Sequence, residues 1–147
     1  MSEPLLDVKD LSVNFTVDGQ LTEAVKKASF YINKGETLAL VGESGSGKTV
    51  TALSIMKLLP YPAASHPGGE ILFKGEDLMQ ADSDAMHRVR GNQISMIFQE
   101  PLSALNPLHT VEKQIGEILE AHQGLGENAA RARTIELMTR VGLPEPE

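Results

Sequence analysis

The chain contains no cysteine. Disulfides, thiolate metal sites and cysteine nucleophiles are therefore excluded, and the composition fits a reducing compartment. Positive charge is also scarce, with 13 Lys and Arg against 20 Asp and Glu and a net charge of −7. No basic stretch offsets that balance, which argues against a general nucleic-acid binder. No apolar run approaches the roughly 18–20 residues that cross a bilayer. The opening MSEPLLDVKD carries early acids and lacks the basic start and apolar centre of a secretory signal. The expectation is a soluble, cytoplasmic chain that reaches a membrane only through a partner. What remains is ordinary globular material: 147 residues, 41% hydrophobic and 22% charged, enough for one domain with a core.

Against this background one stretch stands out. Thr37–Leu59 is an apolar run, a loop with three glycines, a Lys-Thr pair and a helix-like segment. Residues Gly42, Glu43, Ser44, Gly45, Ser46, Gly47, Lys48 and Thr49 fit the phosphate-binding pattern G-x-x-x-x-G-K-[ST] at every fixed position. A chance match in about 140 windows is below about 1%. The glycines let successive backbone N–H groups turn inward around a phosphate. The helix that begins near Lys48 adds the positive end of its dipole. Lys48 supplies a mobile charge for terminal phosphates, and the Thr49 hydroxyl is placed to ligate Mg²⁺.

Leu11, Val13, Phe15 and Val17 share one parity, which predicts a half-buried strand. Asp18-Gly19 predicts a hairpin turn, with a return from Leu21 to Val25 and a further short strand at Ala28–Ile32. The next strand is expected to lead into the phosphate loop. The helix after it, with Val50, Leu53, Ile55, Met56, Leu58 and Leu59 around much of its surface, should be packed on more than one side and end at Pro60 and Pro62. Residues 60–69 read as a Pro/Gly-rich loop, followed by a strand with a turn at Lys74-Gly75. Asp82–Arg90 reads as a short polar helix capped by Asp82 or Ser83 and stopped by Gly91. Gln93–Phe98 is a second apolar strand candidate. Val111, Ile115, Ile118 and Leu119 mark a one-sided helix capped by Thr110 and broken at Gly124. Asn128 is expected to cap a last helix with Ile135, Met138 and Val141 on one face. His66, His87, His109 and His122 show no metal-ligand spacing and read as solvated, as do the acids at Glu76-Asp77 and Asp82–Asp84.

VGESGSGKT, a Gln directly after an apolar strand and the following EPLSALNP together resemble the ATP-binding subunits of ABC transporters. QEPLSALNP is most similar to the oligopeptide/dipeptide importer branch, including microcin-type peptide importers. The resemblance covers essentially the whole chain. It implies an α/β P-loop fold of the ABC nucleotide-binding type, with an N-terminal antiparallel β unit, a phosphate-loop strand and helix and the start of a helical subdomain. The implied division is 1–98 for the nucleotide-binding core and 99–147 for the Gln loop and partial helical subdomain.

The same resemblance assigns Gly42 through Val50 to ATP and Thr49 to Mg²⁺. Gln99 resembles the Q-loop glutamine that reaches Mg²⁺ or the attacking water, a role a neutral amide can fill; Lys48 and Gln99 are then the catalytic candidates. Phe15 resembles the aromatic that stacks on adenine, although it equally continues the core alternation of Leu11 and Val13. The Val111–Leu119 face reads either as the interior of a small helical bundle or as a contact for a membrane-spanning subunit.

The implied partners are such membrane subunits and a second ATP-binding subunit, with no nucleic acid, and the implied place is the inner face of the plasma membrane. The family pattern continues with L-S-G-G-Q, a Walker B strand ending in Asp-Glu and a switch histidine, none of which occurs in these 147 residues. The expectation for this chain alone is weak nucleotide binding, almost no hydrolysis, and self-association or partial disorder where flanking strands are lacking. The rival readings are another P-loop NTPase or small kinase, and a non-catalytic nucleotide-binding module. The transported substrate is not encoded here.

Overall fold

The computed structural model describes residues 3–98 and 105–143. They fall into two compact units, Met1–His87 and Arg88–Glu147. The expected junction at 98/99 lies within the second of these.

The first unit is built on an antiparallel sheet. Strands β1 (Leu6–Val17), β2 (Gln20–Ile32), β3 (Ala64–Phe73) and β4 (Glu76–Asp77) lie in the order β2-β1-β3-β4. Asp18 and Gly19 both take positive φ, 51° and 76°, the geometry of a two-residue type I′ hairpin. Lys74 and Gly75, at 53° and 83°, repeat it between Phe73 and Glu76. Both expected turns are therefore present.

The buried face of β1 changes parity along its length. Leu6 and Val8 are buried, and so are Leu11 and Val13, an even pair followed by an odd pair. The switch happens at Asp10, whose φ of 47° marks an extra residue between the Val8–Phe30 and Leu11–Ala28 pairs. Such a bulge lets the strand keep its apolar residues on one side across a break in the period. Ser29 Oγ accepts from the Asp10 N–H at 2.8 Å. On the other side of β1, Gly69 at φ +103° lies so close that a Cβ there would stand 2.5 Å from Leu11 Cα.

Several elements differ from the sequence expectation. The return strand is continuous from Gln20 to Ile32, because Lys27 at φ 47° absorbs a second bulge instead of ending the ladder. β3 starts at Ala64, inside the expected loop. His66 and Pro67 fall where its ladder to β1 slips between the Asn14–Ser65 and Ser12–Gly68 pairs, so the missing Pro67 N–H costs no ladder bond.

Helix α1 (Lys48–Ile55) ends one turn early. Leu58 N–H donates to Leu53 O at 2.9 Å and Lys57 N–H to Ser54 O at 3.0 Å, with Lys57 at φ 49°. This is a Schellman stop with lysine in the place usually held by glycine. The Lys57 ammonium is anchored on the carbonyls of Met79 and Ala81, at 3.1 and 2.9 Å.

Two apolar strand candidates form no strand. Residues 36–43 have no ladder among the described residues, and Leu38, Leu40 and Val41 are exposed at 42, 48 and 85%. Gln93–Phe98 yields only an isolated bridge between Ile94 and Arg90, and Ile97 is 94% exposed. A strand exists by its hydrogen-bonded neighbour, and among the described residues neither segment gains one beyond that single bridge. The helix α2 (Ser83–Val89) matches its expectation, with Asp82 Oδ1 accepting from the Ala85 N–H at 2.8 Å.

In the second unit, α3 (Val111–Gln123) and α4 (Glu127–Arg140) pack as a helical hairpin. Thr110 caps α3 by accepting from the Lys113 N–H, and Gly124 at φ 64° stops it, both as expected. Leu119, Ala130 and Thr134 are buried, whereas Val111 and Ile118 stay 42 and 56% exposed. The cap of α4 is Gly126 and not Asn128, with the Ala130 N–H donating to Gly126 O at 2.9 Å. Val141 lies past the helix and is 74% exposed, so the expected Ile135–Met138–Val141 face is incomplete.

Candidate functional site

The phosphate loop runs into α1 through two left-handed glycines, Gly45 at φ 80° and Gly47 at φ 87°. They differ in surroundings. A Cβ on Gly45 would meet nothing within 4 Å, whereas one on Gly47 would lie 2.6 Å from Ala24 O and 3.1 Å from Val25 Cγ2. Gly47 therefore needs both its backbone conformation and its missing side chain, because it seats the loop against β2. That contact has no signal in the loop motif itself. It is the part of the site that sequence reasoning missed.

Lys48 folds back over the loop. Its Nζ donates to Gly42 O at 2.8 Å, Glu43 O at 2.6 Å and Ser46 Oγ at 3.3 Å. An ammonium has three protons, so each has an acceptor within the loop. Gly42 makes room for this arrangement, since a Cβ there would be 2.8 Å from Ser46 Oγ.

An open cleft of about 470 Å³ lies at this loop, lined among others by Glu23, Val25, Lys26, Gly42, Lys48 and Thr51. Gly45 and Ser46 also line it; Glu43, Ser44, Thr49 and Val50 do not. Thr49 is exposed in the first turn of α1, and Val50 is half-buried. The Lys26–Glu23 ion pair, 3.2 Å and well exposed, sits at the β2 side of the cleft.

α1 turns a polar face inward. Thr51 is 4% and Ser54 0% exposed. Thr51 Oγ1 donates to Gly47 O at 2.9 Å and Ser54 Oγ to Val50 O at 2.7 Å. The expected all-round apolar packing is thus replaced, on its most buried side, by two hydroxyls bonded back into the helix.

The remaining candidates are scattered. Phe15 is half-buried in β1, paired opposite Thr22 and Ala64, and does not line the cleft. Gln99 lies outside the described residues. Three histidines depart from the solvated reading, His109 by being half-buried beside Lys113. His66 has a buried Nε2 with no hydrogen-bond partner among the described residues, and burial together with the charge of Lys57 lowers its pKa. His122 is half-buried, its ring close to Gly91. Among the described residues no group of three His, Cys, Asp or Glu is arranged to hold a metal.

A family model described as ABC transporter matches residues 25–147. The peptidoglycan transport ATP-binding protein YejF of Agrobacterium fabrum is 60% identical over 146 residues, 99% of this chain and 27% of that protein. The oligopeptide transport ATP-binding protein OppD of Bacillus subtilis is 49% identical over 143 residues, 97% of this chain and 40% of that protein. The chain thus spans between about a quarter and two-fifths of the length of these two relatives. Among solved structures, the dimeric bacterial ABC transporter cassette MJ0796 superposes with a TM-score of 0.80 at 23% identity, over 95% of this chain and 58% of that one. At that identity the likeness shows the fold.

Proposed function

Since this chain belongs to the ABC transporter family, we propose that its phosphate loop binds Mg-ATP and, within a longer protein, couples ATP binding and hydrolysis to peptide import. The observation that carries this reading is the loop itself. Left-handed Gly45, the first turn of α1 and a lysine held over the loop carbonyls meet at one cleft, with left-handed Gly47 seated behind them on β2. Backbone N–H groups from Gly45 to Thr49 would bind the phosphates, and the Lys48 ammonium would redirect its hydrogen bonds from the Gly42 and Glu43 carbonyls to phosphate oxygens. The exchange is favourable because a carbonyl dipole is replaced by a full negative charge.

Thr49 would hold Mg²⁺ together with Gln99, which would also orient the attacking water. Phe15 would stack on adenine. These three assignments rest on the resemblance of their sequence context to the family. Lys48, with Mg²⁺ when it is bound, would lower the barrier by neutralising negative charge that develops on the phosphate oxygens during transfer. The peptide cargo follows from relatives such as the oligopeptide transport protein of Bacillus subtilis. The partners would be membrane-spanning subunits and a second ATP-binding subunit, with the site on the inner face of the membrane. The rival readings, another P-loop NTPase or small kinase and a non-catalytic nucleotide-binding module, are not favoured by the family match.

Calorimetric titration with Mg-ATP, and with ADP and GTP alongside, tests the binding step. Saturable Mg-ATP binding that Lys48→Ala abolishes while the fold is kept is the expected result. Equal binding by wild type and Lys48→Ala would remove the loop from the site.

A further inference from the structure

We infer that Thr51 is a positioning residue for the phosphate cradle, holding the Gly47–Lys48 peptide plane so that the Lys48 N–H faces the loop. The inference rests on the reading of this loop as an ATP-phosphate site. Gly47 O accepts two bonds from the same residue, the Thr51 N–H at 2.8 Å and Thr51 Oγ1 at 2.9 Å. A trans peptide is planar, with its C=O and N–H antiparallel. Fixing the Gly47 carbonyl down the helix therefore aims the Lys48 N–H out of the helix start, towards the loop.

The second bond matters because it adds a side-chain hold to the single backbone bond that fixes this carbonyl. The plane turns about ψ of Gly47, which is 3° here and which the missing Cβ leaves freer than in other residues, and Gly47 offers no side-chain cap. A turn of the plane would withdraw one N–H from the cradle and point a carbonyl oxygen, partially negative, at the place where phosphate oxygens bind. Threonine also looks out of place by the ordinary rules. It is a weak helix former, it is 4% exposed, and a buried hydroxyl is costly unless bonded. That requirement is met by the bond from Thr51 Oγ1 to Gly47 O.

Ser54 provides the internal control. It makes the same type of back-bond, to Val50 O at 2.7 Å, and is fully buried, but Val50, although the resemblance includes it in the ATP segment, follows the loop and does not line the cleft. Calorimetry with Mg-ATP on wild type, Thr51→Ser, Thr51→Val and Ser54→Ala, with far-UV circular dichroism on each, separates the roles. Expected are wild-type affinity for Thr51→Ser and Ser54→Ala and about five- to tenfold weaker binding for Thr51→Val, the scale of one lost hydrogen bond. The Lys48 amide resonance should move in Thr51→Val and stay in Ser54→Ala. Should Thr51→Val lose its fold, Thr51→Ala carries the same comparison. Wild-type affinity in the folded Thr51 variant lacking the hydroxyl, or an equal loss in Ser54→Ala, overturns the inference while leaving the ATP reading intact. A wild type that binds no Mg-ATP overturns both.

Discussion

Replacing Gly47 by alanine should cost far more than replacing Gly45, although the two share one backbone conformation. At φ of 80° and 87°, a residue with a Cβ pays about 1–2 kcal/mol for the left-handed region. The loss of glycine's freedom in the unfolded chain returns about 0.4–1 kcal/mol. Gly45→Ala, whose Cβ meets nothing within 4 Å, should therefore lose about 1 kcal/mol. At Gly47 the Cβ stands 2.6 Å from Ala24 O, against roughly 3.3 Å for a relaxed carbon–oxygen contact. The loop or β2 must yield by several tenths of an ångström, and overpacking of this kind adds about 1–3 kcal/mol. The expected loss at Gly47 is about 2–4 kcal/mol. Mg-ATP affinity should fall with it, because the displaced atoms carry the N–H groups of the cradle. The assay is urea denaturation followed by tyrosine fluorescence. The chain has two tyrosines and no tryptophan, and Tyr31 and Tyr61 both lie in the Met1–His87 unit, so the signal reports the unit that holds the loop. Losses equal within about 0.5 kcal/mol, the usual limit of such comparisons, would refute the claim that the loop is seated on β2 through Gly47.

The same fluorescence assay checks three further expectations. Gly69→Ala places a Cβ 2.5 Å from Leu11 Cα and 2.6 Å from Asp10 O at φ +103°; it should destabilise the unit by about 3 kcal/mol or more, against about 1 kcal/mol for Gly19→Ala, which meets open space. Lys27→Gly, at a bulge with φ 47°, should be stabilising by about 0.5–1 kcal/mol, since release of left-handed strain outweighs glycine's entropic cost; a destabilised variant would show that the Lys27 side chain contributes more than its backbone strain costs. His66 should make stability depend on pH. Burial and the nearby charge of Lys57 lower its pKa below 6.5, so the unfolded chain takes up the proton first on acidification. Its contribution is complete above about pH 6.5 and declines as pH falls through the folded value. Substituting His66→Asn should flatten the denaturation midpoint between about pH 7.5 and about pH 5.5, and an unchanged slope would assign the dependence to other groups.

The features legible in the sequence were those whose physics is local. Asp18-Gly19 and Lys74-Gly75 are hairpin turns because each pair accepts positive φ at both positions. Thr110 and Gly124 bound α3 because a hydroxyl can take an orphan N–H and a glycine can leave the helix. What escaped was set by neighbours distant along the chain. Leu6, Val8, Leu11 and Val13 already carry the phase slip of β1, but only the Asp10 bulge opposite Gly69 says that one face stays buried through it. Residues 36–43 and 93–98 have strand-like composition, and composition cannot supply the adjacent strand on which a ladder depends.

The candidate site divides along the same line, and the division bears on how the loop works. Gly42 through Thr49 predict a phosphate cradle by type and spacing alone, because the N–H groups proposed to bind a phosphate come from consecutive residues. The orientation of those groups is another matter. It depends on Gly47 resting on Ala24 and on Thr51 holding the Gly47 carbonyl, contacts with an edge strand and a helix position that the G-x-x-x-x-G-K-[ST] pattern leaves unspecified. A loop with every motif residue intact can therefore lose its cradle through a change in β2. Ala24 acts through its backbone carbonyl, so an Ala24→Pro change, which fixes φ and removes an N–H, should shift that carbonyl and weaken Mg-ATP binding with no motif residue altered. If Ala24→Pro keeps the tyrosine-monitored fold and wild-type affinity, the edge strand does not orient the loop and the motif is sufficient alone.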